Sequence, residues 1–175
     1  MSGPFGGAAS EHKMVDITHL EPDIAIAPRL LEADFAEIAA RGFRSVVNIL
    51  PDGETPDQLP NARAEAAARR HGLAFHYQPV MMLDVTEDDV VEAFARLMDE
   101  MPAPILVYCK SGGRSTTLWA QVAASRLGVD QALAVARSAG FDLEVLRDSL
   151  AERGEWLAAA TAPTDGSSLP ITNGQ

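Results

Sequence analysis

The chain has 175 residues, 47 % of them hydrophobic and 22 % charged, with a formal net charge of −11. That length and apolar share point to one domain with a core and exclude disorder throughout, while the negative charge disfavours nonspecific binding to DNA, RNA or anionic lipid. A single cysteine permits no internal disulfide, no apolar run nears the roughly 20 residues of a membrane span, and the N-terminus has no basic region followed by an apolar core. The expectation is therefore a cytoplasmic protein with no membrane partner.

In chain order, residues 1–14 are small and Gly-rich and read as a flexible tail. "DIAIAP" is a short strand ended by Pro28. "LLEADFAEIAARG" reads as a helix with Leu31, Phe35 and Ile38 on one face and Gly42 as its stop. "FRSVVNIL" is β-branched and reads as a strand, followed by the turn-rich "PDGETPDQLP". "NARAEAAARRHG" reads as an Ala-rich helix closed by Gly72, and "LAFHYQPV" as a strand stopped at Pro79. After a "MMLDV" loop, Thr86 and Asp89 have the spacing of a capping box. The helix behind them carries Val90, Val91, Phe94, Leu97 and Met98 on one face and is broken by Pro102 and Pro104.

"ILVYC" is a continuous apolar run, the pattern of a central strand buried on both faces. The alternation up to this point predicts a mostly parallel sheet flanked by helices. Behind the cysteine only helices are expected: "STTLWAQVAASRLG", "DQALAVARSAG" and "DLEVLRDSLAERG", each ended by a glycine, the last with Leu143, Leu146 and Leu150 on one face. The polar end of the chain completes a division into residues 1–14 as tail, 15–158 as one α/β domain and 159–175 as tail.

Chemistry concentrates in "YCKSGGRSTTLW". In open α/β sheets, ligands bind beyond the carboxyl ends of the strands, where Cys109 is expected. Lys110, Ser111, Gly112 and Gly113 then lead into a helix N-terminus, whose unpaired N–H groups favour anions. Glycine lets such a loop turn its N–H groups inward, and Arg114 adds a planar fork of donors for an oxyanion. Ser115 is placed to cap the helix or to bond the thiolate. A helix N-terminus and a guanidinium together favour the thiolate form, and a thiolate beside an oxyanion cradle is a nucleophile with its electrophile held in place. A cysteine at a strand end is, taken alone, more often a small core residue. Strand, thiol, two glycines, arginine, serine and helix in this order are much rarer together.

Other residues have plainer readings. Asp84, in the loop after "FHYQPV", is the candidate general acid, although a carboxylate just before a helix start is often only solvated. Asp52 and Glu54 are weaker candidates, since Asp-Gly is first a turn signal. His71 fits a helix C-terminus, no histidine pair has metal-ligand spacing, and one cysteine makes a structural zinc site improbable. Trp119 and the methionines fit core positions better than a cofactor box.

The segment "YCKSGGRSTTLW" resembles the active-site loop of the phosphatase-like domain of the beta-lactamase-hydrolase-like proteins, a family near the cysteine-dependent tyrosine and dual-specificity phosphatases. "LLEADFAEIAARGFRSVVNILPDGE", "HGLAFHYQPV" with "TEDDVVEAF", and "AGFDLEVLR" are similar too, so the likeness runs from about Ile17 to Arg153. Leu50 departs from the pattern, since relatives often carry Arg before "PDGE". The resemblance implies a tyrosine/dual-specificity phosphatase-like fold with a helical C-terminal part.

Two chemistries stay open. Tyrosine phosphatases ordinarily separate Cys and Arg by five residues, and here four intervene, as in single-domain rhodaneses, which move sulfane sulfur. Family members are linked to both chemistries and occur fused to sulfide-oxidising enzymes, so such enzymes are possible partners. As a phosphatase the chain would form a cysteinyl-phosphate on Cys109, with Asp84 as acid and then base and with Arg114, Ser115 and the Lys110–Ser115 N–H groups around the oxyanion. As a sulfurtransferase it would carry a Cys109 persulfide. A third reading is a noncatalytic oxyanion-binding module. None needs a metal or an organic cofactor.

Overall fold

The computed structural model describes residues 13–162. A five-stranded sheet in the order β1-β2-β5-β3-β4 forms its centre. The strands are β1 (Thr18–Glu21), β2 (Ile24–Ala27), β3 (Ser45–Asn48), β4 (Ala74–Tyr77) and β5 (Ile105–Tyr108). β5 pairs in parallel with β2 and β3, β3 pairs in parallel with β4, and only β1 runs antiparallel, against β2. All four residues of β5 are buried, which is why a continuous apolar run occupies the middle of the sheet. The expected mostly parallel α/β architecture is therefore present.

Strand alternation divides the core. Leu106 and Tyr108 face one side, with Phe35, Ile38, Val46, Ala64, Ala67 and Ala68, under helices α1 (Asp34–Ala40) and α2 (Asn61–Arg70). Ile105, Val107 and Cys109 face the other side, with Val91, Phe94, Leu118, Trp119, Leu133 and Leu150. That side is covered by α3 (Asp88–Glu100), α4 (Gly113–Leu127), α5 (Val129–Ser138) and α6 (Arg147–Thr161). Cys109 thus lies on the face of the sheet from which α4 departs.

Several local expectations are corrected. Strand β1 has no clear signal, because only Leu20 of its four residues is buried. Helix α1 begins at Asp34, whose carboxylate accepts the Leu31 N–H at 2.7 Å, so Leu31 precedes the helix and is exposed. Thr86 forms no capping box, since Glu87 occupies the N-cap of α3 and no side chain caps it. Gly154 does not stop a helix. It lies inside α6, where an added Cβ would come within 3.3 Å of the Ala124 backbone, so glycine permits α6 to approach α4 closely. Helix α6 runs on to Thr161, past the expected boundary at 158. Met81 and Met82 are exposed rather than core, whereas Trp119 is buried. Of the tails expected at 1–14 and 159–175, residues 1–12 and 163–175 lie outside the described residues.

Because β2, β3, β4 and β5 are parallel, the loops that follow them open on one edge. Among the described residues no helix is long and apolar enough to cross a membrane.

Candidate active site

Cys109 directly follows β5 with 1 % of its surface exposed, at the floor of the loop. The chain then turns back over the sulfur, and the Gly112 N–H donates to Cys109 Sγ at 3.1 Å. This turn requires glycine: Gly112 has φ +93° at the N-cap of α4. A Cβ there would lie 3.3 Å from both Ile26 Cδ1 and Phe141 Cζ, and one at Gly113 would lie 3.5 Å from Phe141 Cε1. The Phe141 ring therefore packs against both glycines and supports the loop from outside. Behind it, the Thr116 and Thr117 hydroxyls donate to the Gly112 and Gly113 carbonyls at 2.8 and 2.9 Å. Lys110 and Ser111 are exposed at the loop's tip.

Arg114 is only 2 % exposed and acts first as a brace. Its Nη2 donates to Glu54 Oε1 and Oε2 at 2.8 and 2.7 Å, and its Nη1 donates to the Val80 carbonyl at 2.9 Å. One guanidinium thereby joins the Cys109 loop to the β3–α2 loop and to the β4–α3 loop. Ser115 is fully buried, and its Oγ has no hydrogen-bond partner among the described residues, so the expected bond to the sulfur is not formed.

Asp84 ends a short 3-10 turn, Met82–Asp84, on the same edge as Cys109. Its carboxylate is exposed and makes no hydrogen bond or ion pair among the described residues. Asp52 accepts the Asn61 N–H at 2.8 Å, which caps α2 and assigns it a structural role. Glu54, read from sequence as a weak acid candidate, is the partner of Arg114 instead. Tyr108, adjacent to Cys109 but on the opposite face, has a buried hydroxyl without a partner among the described residues. Burial, with Asp52 and Tyr77 adding to it, pushes its pKa well above the ordinary tyrosine value.

Two residues at this edge have no counterpart in the sequence reading of the site. Arg29 follows β2; its backbone N–H donates to the Lys110 carbonyl at 3.3 Å, and its Nη1 donates to Thr55 Oγ1 at 2.9 Å. The sequence signal for it was positional, since any residue just past a parallel strand's end reaches this edge. Phe141 lies in the matching segment "AGFDLEVLR", where nothing in the spacing ties it to the glycines. A cavity of about 330 Å³ opens beside the loop, lined by Asp16, Thr18, Pro28, Lys110, Ser111 and Phe141 among others. Among the described residues, no group of three or more His, Cys, Asp or Glu side chains could hold a metal.

Comparison with known proteins agrees with this geometry. The family model described as beta-lactamase hydrolase-like protein, phosphatase-like domain, matches residues 16–126. A beta-lactamase hydrolase-like protein of Xylella fastidiosa is 40 % identical over 133 residues, which is 75 % of this chain and 30 % of the length of that relative. A crystal structure of a candidate phosphatase from Neisseria meningitidis superposes with a TM-score of 0.69 and 31 % identity, covering 77 % of this chain and 96 % of that one. Kinase associated phosphatase, in a form with its catalytic site cysteine replaced by serine, superposes with a TM-score of 0.62 at 15 % identity, over 87 % of this chain and 100 % of that one, a likeness of fold. The matched residues 16–126 contain the whole sheet and the cysteine loop, and the chain belongs to the family of phosphatase-like domains of the beta-lactamase hydrolase-like proteins.

Proposed function

We propose that the protein is a cysteine-dependent phosphatase acting on small phosphate esters. The observation that carries this reading is the turn of Gly112 over Cys109 Sγ, which puts a thiol at the floor of a helix N-terminus beside a buried arginine. Its phosphatase-like family and the Neisseria structure, alike over nearly that whole chain, support it.

In this mechanism the ester's phosphoryl oxygens rest on the loop N–H groups and the remaining donors of Arg114. Cys109 Sγ attacks phosphorus, forming an S–P bond as the ester P–O bond breaks. Asp84, moving in from its exposed turn, gives a proton to the leaving oxygen. Water then attacks phosphorus, its proton passes to Asp84, and cleavage of the S–P bond releases inorganic phosphate. Ser115 Oγ, lacking another partner, is free to donate to the sulfur as charge returns to it. A lone thiol nucleophile fits a reducing compartment, and we place the activity in the cytoplasm.

A rhodanese-like sulfurtransferase is the second reading. It is favoured by the unengaged Asp84 and the four-residue gap between Cys109 and Arg114, because sulfane sulfur transfer needs no acid. Cys109 would attack the outer sulfur of thiosulfate, releasing sulfite, and would pass the bound sulfur to cyanide or a thiol.

Parallel assays of wild type, Cys109→Ser and Asp84→Asn decide between them, using an aryl phosphate and thiosulfate with cyanide. Phosphate release that requires Cys109 and falls by about 10²–10⁴-fold in Asp84→Asn is the expected result. Cys109-dependent thiocyanate with no phosphate release would replace the phosphatase reading by the second.

A further inference from the structure

Strand order puts β5 between β2 and β3. Arg29 follows β2 and Thr55 follows β3, so the side chain that joins them crosses the end of β5, where the Cys109 loop begins. The backbone of Arg29 is fixed at the same place by its bond to the Lys110 carbonyl. Arg29 and Lys110 are exposed, and neither forms an ion pair among the described residues. Most basic residues of this acidic chain have carboxylate partners, among them Arg63, Arg70, Arg126, Arg137 and Arg147; Lys13 and Arg44 are also unpaired among the described residues, but Arg44 lies just before β3, at the opposite edge of the sheet.

Among the described residues no nearby carboxylate pairs with either cation. Glu54 is taken by Arg114, and Asp52 caps α2. Asp16 shares a cavity with Lys110 without pairing with it, which makes Arg29 the stronger of the two cations. Since Arg114 and Glu54 neutralise one another, the unpaired cations at this edge are Arg29 and Lys110, with Asp84 the exposed and unpaired carboxylate of the same edge.

We propose that Arg29, assisted by Lys110, is a second anion-binding subsite, and that the substrate is a phosphate ester carrying a further anionic group; this rests on the phosphatase reading. The scissile phosphate lies on the loop and Arg114, while the second group reaches outward to Arg29 and displaces its bond to the Thr55 hydroxyl.

The test compares phenyl phosphate with 3-carboxyphenyl and 4-carboxyphenyl phosphate. The wild type is expected to favour a carboxylated ester by roughly tenfold in kcat/KM, expressed in KM, which corresponds to about 1.4 kcal/mol. Arg29→Met should bring that ratio towards one, and Arg29→Lys should keep part of it. No preference in the wild type, or equal losses on all three esters in Arg29→Met, overturns the subsite. A binding measurement separates this from failure of the phosphatase reading. Calorimetry on Cys109→Ser with inorganic phosphate and pyrophosphate should show tighter pyrophosphate binding that Arg29→Met abolishes. That result supports the subsite even if no ester is turned over, and equal binding of the two anions overturns it.

Discussion

Replacing Glu54 tests whether Arg114 is a structural brace. Arg114 is 2 % exposed and Glu54 27 % exposed, and both carboxylate oxygens accept from Nη2. Removing one partner of a fully buried ion pair costs about 3–5 kcal/mol, because a buried charge is left uncompensated. Here Glu54 is partly in water, so solvent can reach Nη2 once the carboxylate is gone, and the Val80 carbonyl remains. The loss in Glu54→Ala is therefore about 2–3 kcal/mol, between a charged hydrogen bond and a fully buried pair. At about 2–4 °C per kcal/mol for a domain of this size, the melting temperature should fall by about 4–12 °C. Glu54→Gln retains one acceptor and should lose roughly half as much. Thermal melts with and without millimolar phosphate provide the assay. An oxyanion that pairs with the exposed guanidinium should stabilise Glu54→Ala more than the wild type. Melting within a degree of the wild type, with no extra response to phosphate, would refute the assignment of Arg114 as a brace.

Two other perturbations probe different parts of the fold. Gly112→Ala places a side chain at φ +93° and within 3.3 Å of Ile26 and Phe141, so strain of about 1–2 kcal/mol should lower the melting temperature. Turnover should drop at least about tenfold as the loop leaves the sulfur, whereas unchanged turnover would show that the tight turn is dispensable. Burial raises the pKa of Glu21, but hydrogen bonds from Arg126 and Trp119 outweigh it and hold the carboxyl below its ordinary value. A lowered folded pKa contributes stability above the unfolded value of about 4.3 and loses it as pH falls through the folded value. Glu21→Gln should therefore melt below the wild type at neutral pH, with the gap closing in acid; parallel curves from pH 7 to 3 would rule out this linkage.

What could be read from the sequence was whatever has a local cause. The buried run of β5, the glycine turn and the helix behind it each follow from neighbouring residues, and so did the cysteine loop. Parallel strands then placed the Asp84 loop on the same edge as Cys109 without further information. The failures depend on distant contacts. Gly154 looks like a helix stop until α4 is packed against it, and Leu31 fits the helical face until Asp34 sets the helix start. Likewise Glu54 reaches Arg114 from 60 residues away, so spacing alone cannot distinguish a general acid from a brace.

The two arginines explain how the site can be precise although most of it is loop. Arg114 joins the loops after β3, β4 and β5, while Arg29 joins the loop after β2 to Lys110 and Thr55. All four parallel strands thus end in loops tied to one another by guanidinium groups. An arginine has five N–H donors, and the brace takes three of those of Arg114, leaving Nε–H and one Nη1–H. Binding an oxyanion therefore need not break the Glu54 pair. It can add to it, so that on the phosphatase reading the residue which holds the loops together is already oriented, at no further cost in side-chain entropy, for the oxyanion of the substrate.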